Sequence, residues 1–201
     1  MAFQQYFQDY DEQFPFVRND TAWVFTMQPY LKGTQMLRCP SDAATNWISD
    51  ANWMNPAVTA NPDGTTARRA SYALNGYLVP GNSKPEQGGN FPHLASIQKP
   101  ASVIFLSEKP TTFNGNYFHA HTWNPPATSH WLTAIDRPDD LAYAQHLEGF
   151  NATYLDGHAK FARWSQVWWR DDSVVTSVMK SDGSGMVDTP PMKGNFDPRQ
   201  S

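Results

Sequence analysis

The 201 residues suit one domain or at most two small ones, and 15 Lys+Arg against 19 Asp+Glu give a formal charge of -4, without the basic footprint of a nucleic-acid binder. Only 17% of residues are charged, while aromatics reach 14% and Pro (16) and Gly (12) are frequent, so the core is built from rings, and both a doubly wound nucleotide-binding fold and a helical bundle are disfavoured. One cysteine, Cys39, rules out a disulfide within the chain, and no run of about 18 apolar residues is present to span a membrane.

In chain order, residues 2–13 come first. Phe3, Tyr6, Phe7 and Tyr10 follow i, i+3, i+4, i+7 spacing, with Gln4, Gln5, Gln8, Asp9 and Asp11 on the other side. This is an amphipathic helix ended by Pro15. No Ser, Thr, Asp or Asn caps its start, so it reads either as the tail of a longer helix or as a short, frayed helix docked on the core. No charged start followed by an apolar stretch opens the chain, so no secretory signal is expected in it.

Residues 20–33 predict a second helix, with Asp20 or Thr21 as cap and Trp23, Met27, Tyr30 and Leu31 inward. Pro29 kinks or restarts it, and Gly33 can close it. Cys39 precedes a proline in an extended, turning segment; a buried small residue is its simplest role. Residues 43–70 lack periodicity and predict a long surface loop.

Residues 71–79 predict a strand, unless Asn75-Gly76 turns it. Residues 80–96 predict a loop. Residues 102–108, SVIFLSE, form the best buried strand, bounded by Pro100 and Pro110. Residues 111–140 read as a second long loop. Residues 149–164 predict two short strands around a type I′ turn at Asp156-Gly157. Residues 165–180 form a last helix or strand, and 181–201 are expected to be loosely held.

Signals for chemistry are sparse. His119 and His121 supply at most half of a zinc site, with no HExxH helix beside them. Asp136, Asp139 and Asp140 are calcium candidates, but the EF-hand order is absent and a solvated acidic turn suits them better. The chain has neither a GxSxG elbow nor a phosphate-binding glycine loop. Trp168-Trp169 and the other tryptophans could stack sugars, although rings normally fill a core short of aliphatics.

Near the C-terminal end, His146 is followed by nine residues, LEGFNATYL, and then by Asp156-Gly157, with Gly149 and Asn151 inside the interval. QQYFQDYDEQFP (4–15), PYLKGTQMLRCPSD (29–42), SYALNGYL (71–78) and IQKPASVIFLSEK (97–109) precede it in order. In these blocks, spread over residues 3–164, the chain resembles bacterial pseudopilin-like proteins with a prepilin-type N-terminal cleavage and methylation segment. The resemblance is to the subfamily marked by His, nine residues, then Asp-Gly. Glu148 departs from the usual His-x-Gly-Gly, and the apolar prepilin helix with its processing site does not occur in the sequence.

The resemblance implies an α+β, type IV pilin-like fold: a truncated N-terminal helix packed on an antiparallel sheet with long loops. It implies a single head domain, with residues 1–14 the remnant of a long helix, 15–180 the head and 181–201 a loose tail. Met1 is then an artificial or misassigned start. The family usually carries a cysteine in the missing helical region, which gives Cys39 an implied disulfide partner there. His146, Gly149, Asn151, Asp156 and Gly157 are implied to be architectural, with no catalytic residues and no cofactor. The expected function is that of a structural subunit of a type II secretion pseudopilus or type IV-like extracellular filament. Such a subunit is inserted in the inner membrane before assembly. Its expected partners are copies of itself, other pilin-like subunits and the assembly machinery, all reached through the missing helix, and not nucleic acid. The chain as it stands is expected to be monomeric. Two rival functions are a surface carbohydrate-binding module using exposed tryptophans and a metal-dependent hydrolase built on the 119–158 histidines.

Overall fold

The computed structural model describes residues 2–15, 23–79, 91, 93–118, 141–170, 176–179, 186–189 and 192–194; from residue 164 onward it describes side chains only at Gln166 and Val167. No helix among these is long and apolar enough to cross a membrane.

Helix α1, Ala2–Asp9, forms where the aromatic stripe predicts it. Tyr6 and Phe7 are buried and Phe3 is half-buried. Phe3 meets Phe105 edge-on at 4.6 Å, and Phe7 meets Phe14 edge-on at 5.5 Å. The helix stops earlier than expected, at Asp9 rather than residue 13. Asp11 (φ 49°) and Glu12 (φ 60°) turn left-handed, and Gln13 pairs with His93 in an isolated bridge. Tyr10 is thereby left 51% exposed, stacked on Tyr6.

Helix α2, Trp23–Met27, continues into a 3-10 turn, Gln28–Tyr30, with Pro29 as its second residue; the proline restarts the helix there, since its missing N–H is not needed in a first turn. Gly33 does not close this segment, which ends at Leu31. It is extended (φ 174°) and precedes another 3-10 turn, Thr34–Leu37. Asp20 and Thr21 lie outside the described residues.

The central sheet has five strands: β1 Tyr72–Asn75, β2 Ile104–Glu108, β3 Tyr117–Phe118, β4 Phe150–Tyr154 and β5 Ala159–Ala162. Their order is β3-β1-β2-β4-β5. All neighbouring pairs are antiparallel except β1 and β3. The α+β class holds, and the expected antiparallel sheet is corrected to a mixed one by this short parallel edge. β1 ends at Asn75 because its side chain accepts from Tyr77 N–H at 3.1 Å and donates to the Ile104 carbonyl at 2.9 Å, so the Asn-Gly turn prevails over the strand. In β4, Phe150, Ala152 and Tyr154 point inward with the period of two that a half-covered strand requires. The core is ring-rich: Trp23, Phe14, Phe105, Phe118 and Phe150 are among its largest fully buried side chains.

The β4–β5 hairpin forms, but its turn is not type I′. Asp156 is not left-handed; Gly157 alone is (φ 95°). Gly157 N–H donates to the Tyr154 carbonyl and Tyr154 N–H to the His158 carbonyl, both at 2.9 Å. This is a three-residue loop closed by a glycine. The two-residue left-handed turn lies upstream, at Leu147 (φ 47°) and Glu148 (φ 64°), where His146 and Gly149 exchange both backbone hydrogen bonds at 2.9 Å. Glu148 thus occupies a backbone conformation that glycine adopts without penalty. Glu148→Gly is expected to stabilise the fold by about 1 kcal/mol, read as a raised urea midpoint at unchanged slope.

Residues 43–70 are not merely a surface loop. Trp53, Arg68 and Arg69 are buried. Arg68 pairs with Asp42 at 2.6 Å, both side chains fully buried, and donates to the carbonyls of Pro110 and Phe113. Arg69 donates to the carbonyls of Trp53, Asn55 and Val58. Two guanidiniums therefore replace the missing periodic apolar face as the means of fixing this segment.

Beyond the sheet, residues 165–180 contain both expected kinds of element. Helix α3, Trp164–Val167, runs into β6, Trp168–Arg170, and β7, Thr176–Met179, follows. Within the expected loose tail, β8, Met186–Thr189, pairs with β7, and β9, Met192–Gly194, pairs with β6, both antiparallel.

Candidate functional site

The charged side chain at the end of β2 organises the site. β2 is apolar until Ser107-Glu108, and Glu108 is 1% exposed. Such a carboxylate is costly to bury unless partnered. Its Oε1 lies 2.8 Å from His146 Nε2, and its Oε2 accepts from Asn151 N–H at 2.8 Å. Asn151 Nδ2 adds a long contact to Oε1 at 3.4 Å. Three elements deliver these groups: the end of β2, the tight turn at 146–149 and the start of β4.

Cys39 arrives from a fourth direction. Ser71 N–H donates to the Leu37 carbonyl, and Cys39 N–H donates to Ser71 Oγ, both at 2.8 Å, so the 37–39 segment is fastened just ahead of β1. Cys39 Sγ then lies 3.5 Å from His146 Nε2, with the Gln145 amide at 3.7 Å. Burial pushes the thiol pKa up, and the Glu108 carboxylate adds to the rise. Cys39 Sγ, His146 Nε2 and a Glu108 oxygen all lie within 4.8 Å of one another. The cluster reaches solvent on the His146 side, whose side chain is 25% exposed.

The same imidazole nitrogen faces both the thiol and the carboxylate. A nucleophile relay would instead use the two ring nitrogens, one toward the nucleophile and one toward the acid. Convergence of sulfur, nitrogen and oxygen on one point is the arrangement of a ligand set rather than of a catalytic triad.

The His-nine-Asp-Gly signature is divided between the two ends of β4. His146 and Asn151 meet at Glu108. Gly149 is needed for space: a Cβ there would lie 2.2 Å from Phe161 Cζ and 2.7 Å from the Ala162 carbonyl oxygen. Asp156 and Gly157 form the exposed hairpin corner, where Asp156 Oδ1 accepts from His158 N–H at 3.1 Å and lies 2.6 Å from His158 Nδ1. These hydrogen bonds hold the Asp156 carboxyl below its usual range, although desolvation pushes the other way. Gln4 of α1 donates to the Leu155 carbonyl at 3.0 Å, so this corner receives the first turn of the helix. Cys39 sits at the other end. Leu155 N–H bonds the Val103 carbonyl, and the five-residue step from Val103 to Glu108 covers about 16 Å of strand.

Glu108 escaped the sequence reading, as did its neighbour Lys109. The available signal was the pair of charges ending the most apolar strand, since Glu and Lys are rarely buried without partners. Lys109 is 2% exposed and donates to the Gly115 carbonyl at 2.9 Å. It also lines a polar cleft of about 340 Å³ with Thr59, Thr66, Arg69, Asn114 and Asn116. Burial, helped by Arg68, lowers its pKa from 10.5 to about 7. Between those values the unfolded chain holds a proton that the folded chain has released, so this group makes stability rise with pH. The stability difference between wild type and Lys109→Met is expected to shift in favour of wild type from pH 7 to pH 9. Urea unfolding at both pH values reads it. Tyr72 and Cys39, whose raised pKa values act in the opposite sense at higher pH, are common to both proteins.

Asp136, Asp139, Asp140, His119, His121 and His130 lie outside the described residues. Of the tryptophans with described side chains, Trp23 and Trp53 are buried, and Trp47 is covered by the guanidiniums of Arg38 (4.7 Å) and Arg68 (5.5 Å). No protein-family model, curated protein or solved structure matches the chain.

Proposed function

We propose that the chain is the globular head of a pilin-like structural subunit, serving a type II secretion pseudopilus or a type IV-like extracellular filament. The observation that supports it best is α1: its aromatic side is seated against Phe105 of β2, its polar side is exposed, and its first turn is fastened to the 155–157 hairpin corner. A helix anchored in this way can carry an apolar extension that packs with identical extensions while the heads face outward. The apolar extension would hold the subunit in the inner membrane before assembly and bring it to the cell surface afterwards. Copies of the chain, related subunits and the assembly machinery would be its partners.

The test compares the 201-residue chain with the same chain carrying its native preceding segment. The shorter protein is expected to be monomeric by light scattering. The longer one is expected in the membrane fraction and, with the assembly machinery, in filaments seen by electron microscopy. A longer protein that remains a dissolved monomer contradicts the proposal.

A further inference from the structure

We infer that Cys39, Glu108 and His146 bind a single borderline-soft divalent cation, zinc being the best fit. Zinc takes thiolate, imidazole and carboxylate ligands, with bonds of about 2.3 Å to sulfur and about 2.0–2.1 Å to nitrogen and oxygen. A tetrahedral ion then sets a sulfur–nitrogen edge of about 3.6 Å and a nitrogen–oxygen edge of about 3.3 Å. Cys39 Sγ and His146 Nε2 are already 3.5 Å apart. Glu108 Oε1 and the imidazole, now at hydrogen-bond distance (2.8 Å), need to part by about half an ångström as the ion replaces the proton between them.

Charge favours the ion as well. A thiolate and a carboxylate facing one buried point are neutralised by a dication, which removes the cost of burying Glu108 next to a second anion. On binding, the sulfur–metal bond forms and the thiol proton leaves to solvent, while the proton between Nε2 and Glu108 passes through solvent to Nδ1 of the same ring, so that Nε2 offers its lone pair to the ion and the imidazole stays neutral. Asn151 fixes the carboxylate from behind, as the outer partners of metal ligands do. The soft sulfur and the nitrogen select zinc over calcium or magnesium, which take all-oxygen ligand sets. Three protein ligands and exposure on the His146 side leave a fourth position for water or a small ligand.

The experiment uses the 201-residue chain, reduced, equilibrated with zinc and then freed of unbound metal. Elemental analysis is expected to find one zinc per chain, and calcium is expected not to be retained. Cobalt(II) added in place of zinc is expected to produce a thiolate-to-cobalt charge-transfer band. Cys39→Ser is expected to abolish that band, and Cys39→Ser and His146→Gln each to weaken binding by more than about tenfold. Asp156→Asn, at the opposite end of β4, is expected to bind as wild type does. Circular dichroism of Cys39→Ser and His146→Gln establishes that they are folded; Glu108→Gln is avoided because the carboxylate is buried. Wild type without zinc, or folded Cys39→Ser that binds as tightly as wild type, overturns the inference. Neither result bears on the filament proposal.

Discussion

Asp42→Ala is expected to destabilise the protein by about 3–5 kcal/mol, the usual cost of leaving a buried charge without its partner. Asp42 Oδ2 takes both Arg68 Nη2 at 2.6 Å and Nε at 3.0 Å, and neither side chain is exposed. Burial pulls the Arg68 pKa down while Asp42 pushes it back up, so the carboxylate is what keeps the cation tolerable. The remaining guanidinium hydrogens reach the carbonyls of Lys109, Pro110 and Phe113. Removing Asp42 therefore loosens the join between the 43–70 segment and the turn after β2. Urea unfolding measures the loss. Arg68→Met on top of Asp42→Ala is expected to recover part of it, because the orphaned charge is then gone; additive single effects would contradict a coupled pair.

Phe7→Ala should cost a similar amount, about 3–5 kcal/mol, as large-to-small changes at buried rings do. Phe7 is 3% exposed and touches Phe14 and Phe105 at ring separations of 5.5 and 5.9 Å. Gln8→Ala, one position along on the exposed side, is expected to stay within about 0.5 kcal/mol of wild type. Equal effects at the two positions would mean that the helix does not use its aromatic face to hold the sheet.

What could be read from the sequence was local. The stripe of α1, the apolar run of β2 and the strands flanking Asp156-Gly157 each carry their pattern within a few residues. The errors arose where distant groups decided the outcome. α1 ends at Asp9 because Asp11 and Glu12 turn left-handed toward the bridge at His93. The type I′ geometry belongs to Leu147–Glu148, which have neither Asn nor Gly to announce it. Residues 43–70 carry no apolar period because two arginines, Arg68 and Arg69, tie them down. His146 and Asn151 were visible through the resemblance, but their meeting point, Glu108, lies 38 residues from His146 in the chain. Cys39 lies 107 residues from His146, and only the folded sheet brings the three together.

The DNA immediately upstream of the Met1 codon tests the filament account most directly. The account predicts an in-frame stretch encoding an apolar helix that runs without interruption into Phe3, Tyr6 and Phe7, preceded by a prepilin-type processing site. An in-frame stop codon next to Met1, or a polar segment unable to form an assembly helix, would contradict it.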